Sequence, residues 1–535
     1  MNIKNPAVRD PRIVDYLPVK RIVSSSSVEN PDFLIGKIVT QPSEGFSGDE
    51  VLDLKAGASL LVDFGMELNG GVRIVTGRKE GKIRIVFGES VSEAMSTPAQ
   101  WHTLHDVTLP IPAMGATEFG NTGFRFVRLD IVEDVLLAGI TAAYRHQDLQ
   151  PVGVLKCSDE RLQKIWDVCV HTVSLNMQDY ILDGIKRDRL VWMGDLHPEV
   201  SVINLVYGQN PTVNASLDYI RDRTPLPNFM NGISSYSLWW VICQYDLYMH
   251  FADLDYLKEQ HAYLKELMTL MATFVAANGK EILPETRFID WPTKKDDAAI
   301  HVGLQALMTQ AFTNAAKLAE YLEDEELKTL CLNTAELLRA YTPPPTERKA
   351  PNALFALAGR ADFDTVNREI LSVDPCADLG TFMGFYTLSA RAKAKDGDGV
   401  IDTIKKFYGA MLDFGATSFW EDFNIDWLEN ATPIDEPPVP GKRDLHADCG
   451  AFCYVGLRHS LCHGWASGPA AVLMQMLCGL EILEPGFAKI RLRPNCFGME
   501  SFSCTIPTPK GVIKIDAVKG QVPHIDLPRG ISLSL

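Results

Sequence analysis

The most constraining feature of this chain is its long central region, residues 153–484, in which apolar residues recur at helical spacing. The first helix is predicted at Ser158-Asp159-Glu160, where serine can cap the helix and the acids favour the positive end of its dipole. Further helices are predicted over residues 253–277, 303–322 and 326–341. A helical region of this length is too large for one bundle. We therefore predict a toroid of paired helices, with loops at one end forming a funnel.

Strand-type patterning flanks this helical region on both sides. The alternating or glycine-bounded runs lie at residues 58–64, 71–77, 82–88 and 124–131 before it, and at residues 488–494 and 511–516 after it. The earlier runs predict an N-terminal β-sandwich, and the later ones predict a small C-terminal sheet. The sequence thus predicts three domains: a sandwich over residues 1–152, the helical barrel over residues 153–484 and a β domain over residues 485–535.

The net charge of −17 over 535 residues argues against partners that require a basic surface. Nucleic acids and anionic membranes are held by clustered lysine and arginine, so neither is predicted as a partner. The eleven cysteines are scattered and odd in number, which is not typical of a disulfide framework. The sequence shows no secretory leader and no apolar run that would span a membrane. We predict a soluble protein, cytoplasmic or periplasmic, without membrane insertion. An oligomeric state is not predicted.

Two acidic clusters that carry tryptophan lie far apart in the sequence. Residues 182–195 contain three aspartates, three cations and a tryptophan, and residues 419–423 place Trp420, Glu421 and Asp422 between two phenylalanines. Tryptophan can cover the apolar face of a sugar, and two carboxylates can supply the acid and the base of glycoside hydrolysis. A general acid needs a raised pKa, which apolar cover or a neighbouring carboxylate provides. The two clusters therefore predict a sugar site.

Each cluster also has a purely structural interpretation. Lys186, Arg187 and Arg189 would then pair with the nearby aspartates as a salt-bridge network. Glu421 would be an exposed glutamate whose aromatic neighbours face the core. The residues alone leave both interpretations open.

Three further segments have the composition of site walls, because tryptophans accompany polar residues in them: residues 236–240, 288–293 and 460–469. They contribute the candidate binding residues Trp239, Asp290, Trp291, His463 and Trp465. The group Cys449, Cys453, Cys462 and His463 comes closest to metal-ligand spacing, but its neighbours are apolar. A glycine-rich phosphate loop and a nucleophile elbow are absent from the sequence, so neither a metal nor a cofactor is predicted.

These segments resemble the α-L-rhamnosidases of glycoside hydrolase family 78, and the likeness is strongest to a bacterial branch common in gut Bacteroides. The resemblance covers nearly the whole chain. The matching segments are residues 63–71, 87–94, 121–128, 176–180, 183–199, 288–292, 419–422, 461–468 and 484–494.

The resemblance implies an (α/α)6 barrel flanked by β domains, and inverting hydrolysis without a metal. The usual acid motif of the family reads Asp-Cys-Pro-Gln-Arg-Asp-Glu-Arg-Leu-Gly-Trp-Thr-Gly-Asp, with the glutamate as general acid. The present chain is one residue shorter there. Aligned on the second half of the motif, Asp188 takes the place of the glutamate; aligned on Arg187-Asp188, the glutamate is absent. The Trp-Glu motif of the family matches Trp420-Glu421 and implies Glu421 as general base.

The resulting hypothesis assigns two catalytic residues. Asp188 protonates the leaving glycosidic oxygen, with Glu199 as the alternative acid, and Glu421 deprotonates a water on the opposite face of the sugar. The two carboxyl groups are then expected roughly 6.5–9.5 Å apart. The predicted substrate-binding residues are Asp183, Arg187, Trp192, Asp195, Glu199, Trp239, Asp290, Trp291, Trp420, His463 and Trp465.

The predicted function is that of an inverting α-L-rhamnosidase, which releases terminal L-rhamnose from a plant or bacterial glycan or glycoside. A carbohydrate is the predicted partner. One alternative is another (α/α)6 enzyme acting on uronides, a glucuronyl hydrolase or a lyase, in which Arg187, His197 or Tyr236 would hold the uronate. The other alternative is a non-catalytic sugar-binding relative that has lost its general acid.

Overall fold

The computed structural model of the protein describes residues 10–43, 46, 48–97 and 105–534. The chain forms two compact units, and each unit is assembled from several segments. The first unit comprises Met1–Asp148, Ser174–Leu190 and Met411–His463, and the second comprises Leu149–Val173, Val191–Ala410 and Gly464–Leu535. The domain boundaries predicted at residues 152 and 484 stay a prediction.

The N-terminal segment of the first unit is an antiparallel sheet. Its strands are β1 (Arg12–Pro18), β2 (Arg21–Ser26), β3 (Leu52–Leu54), β4 (Ser59–Thr76), β5 (Gly81–Gly88), β6 (Asp106–Ile111), β7 (Ala116–Glu133) and β8 (Val135–Gln147), with a short helix α1 (Val91–Met95) between β5 and β6. The strand order is β1-β8-β4-β7-β5-β6, while β2 pairs with β4 and β3 pairs with β8. The predicted strands are confirmed, and the sandwich arrangement stays a prediction.

Strand β4 joins two runs that the sequence separates at glycine. Its register against β7 shifts between Asp63 and Leu68, and Gly65 lies at this irregularity with a φ of 85°. A Cβ added at Gly65 would lie 2.9 Å from the Lys20 side chain, so a glycine is required there for both conformation and space. The glycine therefore marks a local irregularity within one long strand, not the end of a strand.

Strand β9 (Val154–Cys157) precedes the helical part of the chain. The helices are α2 (Glu160–Asn176), α3 (Met193–Val206), α4 (Pro211–Arg223), α5 (Ser234–Phe251), α6 (Leu254–Ala272), α7 (Asp297–Tyr321), α8 (Glu325–Ala340), α9 (Lys349–Leu357), α10 (Phe363–Val366), α11 (Gly384–Lys393), α12 (Gly397–Asp413) and α13 (Pro469–Cys478). The long helices predicted from apolar spacing are confirmed, although α6 ends at Ala272 and not at residue 277, and α7 begins at Asp297 and not at residue 303. Their closure into a toroid stays a prediction. Among the described residues, no helix combines the length and apolar character that a membrane crossing requires.

Aspartates set the starts of these helices. The side chains of Asp253, Asp296 and Asp324 accept hydrogen bonds from backbone N–H groups in the first turns of α6, α7 and α8. At α2 the cap is Asp159, whose Oδ1 accepts the Leu162 N–H at 2.9 Å. The serine before it, which the sequence suggested as the cap, instead accepts backbone N–H groups of residues 500 and 501. A side chain engaged elsewhere cannot cap the helix.

The helical pattern predicted to continue to about residue 483 is wrong between α12 and α13. Residues 414–463 form 3-10 turns and short strand pairs: β10 (Ala431–Thr432) with β11 (Arg443–Asp444), and β12 (Gly450–Ala451) with β13 (Tyr454–Val455). The physical reason is proline, which removes a backbone donor and clashes with the preceding turn. Four prolines lie at positions 433, 437, 438 and 440.

The C-terminal part of the second unit is β structure, as the sequence predicts. Its strands are β14 (Glu481–Glu484), β15 (Lys489–Arg491), β16 (Ser501–Thr508), β17 (Gly511–Val518), β18 (His524–Asp526) and β19 (Ser532–Leu533). One sheet has the order β18-β17-β16-β9, and the other has the order β14-β15-β19. Strand β9, which precedes the helices in sequence, is therefore an edge strand of the C-terminal sheet.

Candidate active site

The loop before α3 carries the acidic cluster of the first unit. It closes on itself because Asp183 and Leu190 exchange hydrogen bonds: the Asp183 N–H donates to the Leu190 carbonyl at 3.0 Å, and Asp183 Oδ1 accepts the Leu190 N–H at 2.8 Å. Between them, Asp188 and the residue after it have φ values of 55° and 53°. A left-handed pair of this kind turns the chain sharply. The loop thereby projects successive charged side chains in different directions.

Lys186 belongs to a sealed ion cluster of the first unit. Its Nζ lies 3.1 Å from Glu89 and 3.3 Å from Glu93, and it donates to the carbonyl oxygens of Leu457 and His459 at 2.9 and 2.6 Å. All three charged side chains are buried. Burial opposes the charged form of Lys186, but the two carboxylates outweigh it and raise its pKa. Lys186 therefore belongs to a structural salt-bridge cluster, but its partners are two distant glutamates and not the nearby aspartates that the sequence suggested.

Arg187, the next residue, bridges the two predicted catalytic carboxylates. Its guanidinium donates to Asp188 Oδ2 at 2.9 Å and to Glu421 Oε1 in a short hydrogen bond, and its Nε donates to the Arg458 carbonyl at 3.0 Å. Burial favours the neutral form of Arg187, but the charges of Glu421 and Asp188 outweigh it and raise its pKa. The structure thus brings Asp188 and Glu421 onto one cation, although they lie far apart in sequence.

Glu421 is buried among aromatic rings. Its Oε2 accepts the Ser460 N–H at 3.2 Å, and its own N–H donates to the Ser460 carbonyl at 3.0 Å. Trp420 and Phe423 on either side are buried and meet edge to face at 5.6 Å. Burial raises the pKa of Glu421 to about 7, against the opposing charge of Arg187. A carboxyl that titrates near neutrality is suited to general acid–base chemistry.

Two further predicted site residues of the first unit are buried beside these charges. Burial raises the pKa of Asp183 well above its usual range, and the charges of Asp188 and Glu421 add to the effect. Burial also lowers the pKa of His463, which keeps its ring neutral. The backbone N–H of His463 donates to the Phe419 carbonyl at 3.0 Å, so it is anchored to the segment that carries Glu421.

In the second unit, Trp192 and the first turns of α3 present another group of predicted site residues. Trp192 is half-buried and meets Tyr236 edge to face at 6.1 Å. Asp195 and Glu199 follow it on α3 and are buried. A Cβ added at Gly464 would lie 2.2 Å from the carboxyl carbon of Glu199, so the glycine permits close approach of the backbone. Glu199 has no exposed surface.

Two more candidate tryptophans of this unit, Trp239 and Trp465, are packed against aromatic rings. Trp239 stacks on His197 at 5.1 Å and on Tyr386 at 4.8 Å, and it is fully buried. Trp465 stacks on Phe382 at 4.6 Å, nearly parallel to it. Both tryptophans have a packing role in this structure, and their predicted contact with a sugar stays a prediction.

The 288–293 loop holds one buried acid and one accessible aromatic ring. Asp290 accepts the backbone N–H of Thr293 at 3.0 Å and a short hydrogen bond from its hydroxyl. Burial raises the pKa of Asp290 to about 6, against these hydrogen bonds. Trp291 is half-buried, meets Phe288 at 5.2 Å and lies 4.4 Å from the Lys294 ammonium. The Trp291 ring is thus partly exposed, with Lys294 over one face, and its predicted contact with a sugar stays a prediction.

The predicted site residues thus fall into two groups, each held by contacts within its own unit. The first unit contains Asp183, Arg187, Asp188, Trp420, Glu421 and His463, and the second contains Trp192, Asp195, Glu199, Trp239, Asp290, Trp291 and Trp465. Within the first group, the two candidate catalytic carboxylates are brought together.

Several residues that shape these groups were missed in the sequence. Glu89 and Glu93 bind Lys186 from a distant strand end and helix, and Asp246 binds His197 from α5 at 3.0 Å. Arg458 contributes its backbone carbonyl to Arg187 and its guanidinium, 3.9 Å from Asp188, while Ser460 contributes its backbone to Glu421 and its hydroxyl to Glu89. Long-range pairing of this kind leaves no spacing signal in a single sequence. Backbone donors and acceptors leave none either.

A metal could be ligated by one cluster of the described residues: Glu89, Glu93 and His446 offer ligand atoms within 4.8 Å of one another. The Lys186 ammonium lies at the same place and already supplies the positive charge. The residues therefore do not fit an additional cation. The cysteine group that came closest in sequence does not form such a cluster in the described part of the chain.

Comparison with known proteins supports the fold. Residues 150–341 match the model of the bacterial α-L-rhamnosidase six-hairpin glycosidase domain. A family 78 rhamnosidase of Bacillus sp. GL1 superposes with a TM-score of 0.76 at 20% identity, covering 94% of this chain and 55% of that one. No curated protein matches the chain.

Two structures with rhamnose bound are also similar. The rhamnosidase of Klebsiella oxytoca has a TM-score of 0.68 at 20% identity and covers 88% of this chain and 97% of that one. The α-L-rhamnosidase of Streptomyces avermitilis has a TM-score of 0.74 at 14% identity and covers 98% of this chain and 50% of that one. The chain therefore spans about half the length of the Bacillus and Streptomyces proteins and nearly all of the Klebsiella protein.

These matches confirm the resemblance to the α-L-rhamnosidases and the combination of a helical glycosidase domain with several sheets. The match of residues 150–341 to the glycosidase domain model also supports the predicted enzyme class, a glycoside hydrolase acting on O-glycosyl bonds. The likeness to a Bacteroides branch stays a prediction. The match to the bacterial α-L-rhamnosidase six-hairpin glycosidase domain is a property of residues 150–341.

Proposed function

We propose that the protein is an inverting glycoside hydrolase that releases terminal L-rhamnose. The observation that carries this proposal is Glu421, a buried carboxyl whose pKa is raised to about 7 and which shares the Arg187 guanidinium with Asp188. Two acidic side chains fixed by one planar cation have a defined separation and orientation, which acid–base catalysis requires. The family match and the similar rhamnose-bound structures are the reason for proposing L-rhamnose as the sugar.

In the proposed reaction, the Glu421 carboxylate takes a proton from a water molecule, whose oxygen attacks the anomeric carbon. Asp188 gives its proton to the glycosidic oxygen as the bond to that carbon breaks. The free sugar then has the opposite anomeric configuration. Asp188 is favoured over Glu199 as the acid because its side chain is 33% exposed, whereas Glu199 has no exposed surface. A leaving group must be able to reach its proton donor.

The remaining predicted residues would bind the sugar. In the first unit, Asp183 would accept hydrogen bonds from sugar hydroxyls. In the second unit, Asp195 and Asp290 would accept such hydrogen bonds, and Trp192 and Trp291 would cover an apolar face of a sugar. A uronide substrate is less well supported, because the Arg187 guanidinium already pairs with two protein carboxylates.

A non-catalytic sugar-binding protein is the second candidate. It is favoured by one observation: Arg187 contacts both carboxylates of the proposed acid–base pair, in a loop one residue shorter than the family motif. Such a protein would bind rhamnose without hydrolysing rhamnosides.

A screen of aryl glycosides separates the two candidates. The wild-type protein is expected to hydrolyse an aryl α-L-rhamnoside and to release the inverted anomer, observed by NMR before mutarotation. Glu421→Gln is expected to lose this activity, Asp188→Asn is expected to lose the hydrolysis of alkyl and glycosyl rhamnosides, and the exposed variant Glu436→Gln is the matched control. Thermal protection by L-rhamnose without any turnover would favour the binding protein. Turnover of unsaturated uronides alone would contradict both candidates.

A further inference from the structure

The turn of a short hairpin in the first unit carries an exposed aromatic ring that the proposed reaction does not use. Ala451 of β12 pairs with Tyr454 of β13, which leaves Phe452 and Cys453 as the two residues of the turn. Phe452 is 45% exposed, although phenylalanine is among the residues most often buried in folded proteins.

The backbone conformation of this turn does not suit phenylalanine. Phe452 has a φ of 59°, in the left-handed region that glycine and asparagine adopt more readily. Its ring meets that of Tyr454 edge to face at 6.2 Å, so it packs on the hairpin with one part and leaves the rest open. A bulky apolar residue kept in this conformation and left exposed indicates a role in binding, since strain of this kind is concentrated at functional sites.

Arg458 connects the hairpin turn with the candidate acid. Its Nε donates to the Cys453 carbonyl at 2.9 Å, and its Nη2 lies 3.9 Å from Asp188 Oδ1. Its own carbonyl accepts the Arg187 Nε at 3.0 Å. A single guanidinium thus spans the space between the turn and Asp188.

The Cys453 thiol also senses the candidate catalytic groups. It is partly exposed, and burial raises its pKa to about 11. The negative charge of Glu421 adds to this effect, whereas the positive charge of Arg187 opposes it. The turn therefore lies within electrostatic range of the cluster that holds the proposed acid and base.

The proposed reaction determines what occupies the space beside Asp188. The Arg187 guanidinium holds Asp188 Oδ2 at 2.9 Å, so Oδ1, the oxygen nearer Arg458, is the one that can carry the proton. A general acid gives its proton to the glycosidic oxygen, and the leaving group must therefore lie next to this oxygen. The leaving group is thus expected against Arg458 and the hairpin turn.

The side chains of the hairpin define the class of leaving group. No side chain of residues 449–458 carries a carboxylate, an amide or an aliphatic hydroxyl. A glycosyl leaving group presents hydroxyls that require such partners, whereas an aromatic ring can pack on Phe452 and stack on the planar guanidinium of Arg458. We propose that the β12–β13 turn is the leaving-group subsite, in which Phe452 selects an apolar aromatic leaving group. This inference rests on the proposed function, because it takes Asp188 as the acid.

Two rhamnosides with different leaving groups test the proposal. Phe452→Gly removes the ring and suits the positive φ, and Phe452→Tyr keeps a ring. We expect kcat/KM for 2-naphthyl α-L-rhamnoside, divided by that for methyl α-L-rhamnoside, to fall about tenfold in Phe452→Gly. The fall should come from KM for the naphthyl substrate, and Phe452→Tyr should restore the ratio. Tyr321→Ala is the matched control, because it removes a ring on α7 that is 37% exposed.

Binding without turnover separates this subsite from catalysis. In Glu421→Gln, ligand-observed NMR should give a lower Kd for the naphthyl than for the methyl rhamnoside, and adding Phe452→Gly should abolish the difference. That result supports the subsite even if the wild-type protein hydrolyses no glycoside. An unchanged preference in the double variant would overturn the proposal, as would an equal loss of preference in Tyr321→Ala. Tighter binding of a rhamnosyl-glucose disaccharide than of the naphthyl rhamnoside would also contradict it. If Phe452→Gly fails to fold, Phe452→Asn, which also tolerates this φ, takes its place.

Discussion

Lys186 and Arg187 are neighbours in sequence, both are buried and each pairs with two carboxylates, yet they form two different kinds of cluster. Lys186, Glu89 and Glu93 are sealed, with side-chain exposures of 2% or less. In the other cluster Asp188 remains a third exposed, so one partner of Arg187 reaches solvent. The two clusters have similar charges and similarly buried cations. The exposure of a carboxylate to solvent therefore distinguishes the candidate catalytic cluster from the structural one.

The chemistry of the two cations matches this difference. The lysine ammonium is a compact charge that also donates to two carbonyl oxygens, which saturates its hydrogen-bonding capacity. The planar guanidinium of Arg187 directs separate N–H groups to Asp188 and Glu421 and fixes their relative orientation. The lysine neutralises two buried glutamates, and the arginine positions two acids.

The largest expected effect is the loss of the lysine charge. Lys186→Met leaves Glu89 and Glu93 buried without their cation, and we expect it to lower the free energy of unfolding by about 3–5 kcal/mol. Urea denaturation followed by tryptophan fluorescence measures this change.

The matched control is Lys82→Met, because Lys82 pairs with Glu133 at the surface. Its loss should change the free energy of unfolding by less than about 1 kcal/mol. Equal destabilisation by the two variants would remove the distinction between a sealed cluster and an exposed pair.

The next effect is on the reaction. Glu421→Gln cannot accept a proton, so we expect kcat for an aryl rhamnoside to fall by about 10²–10⁴-fold. Above pH 7, Glu421→Gln should not lower the free energy of unfolding as Lys186→Met does, because burial already favours the neutral form of Glu421. Rates and urea curves on the same preparations test both statements. Retention of more than about a tenth of the activity would show that Glu421 is not the base.

A smaller and more selective effect is expected at Asp188. A proton donor matters most when the leaving group is a poor one, so Asp188→Asn should slow hydrolysis of alkyl or glycosyl rhamnosides by about 10²-fold or more. The nitrophenyl rhamnoside should lose less than about tenfold, because its leaving group departs without protonation. Glu199→Gln is the comparison variant. If Glu199→Gln shows this dependence on the leaving group and Asp188→Asn does not, Glu199 is the general acid and Asp188 is not.

The helices and strands were largely predictable because their apolar spacing is local. The starts of α6 and α8 lie at capping aspartates close to the predicted positions, whereas the cap of α7, Asp296, was missed and this helix begins before the predicted residue 303. The predictions that failed depend on hydrogen bonds to distant residues or on prolines that interrupt a helical pattern. The serine before α2 binds backbone N–H groups far along the chain, and the prolines of residues 433–440 interrupt an otherwise helical pattern.

The candidate site was predictable in its residue types and not in its pairings. The aromatic cover of Glu421 follows from its immediate neighbours, and the structure has it buried as that composition suggested. The sequence offered Lys186 and Arg187 as equivalent members of one charge cluster. Their separation depends on Glu89, Glu93 and the carbonyl groups around residues 457–459, which nothing near residue 186 reveals.

The smallest expected effect is in the pH dependence of the two clusters. Burial raises the pKa of Glu93 and of Glu421 from about 4.5 to about 7. The folded protein therefore retains protons that the unfolded chain has lost, and each group contributes stability below pH 4.5 that is lost as the pH rises through 7. Glu93→Gln should flatten this decline in unfolding free energy, measured by urea denaturation at several pH values.

The rate profile distinguishes the two glutamates even though their pKa values are alike. Only Glu421 is proposed to take a proton from water, so kcat/KM should rise with pH through an apparent pKa of about 7. Because Glu93 contacts Lys186 and not the reacting groups, Glu93→Gln should keep this limb of the profile while it changes stability. The exposed Glu133→Gln should alter neither property. If Glu93→Gln displaced the rate limb as far as it changed stability, the two clusters would act as one titrating unit, and the separation of a sealed structural cluster from an accessible catalytic one would be wrong.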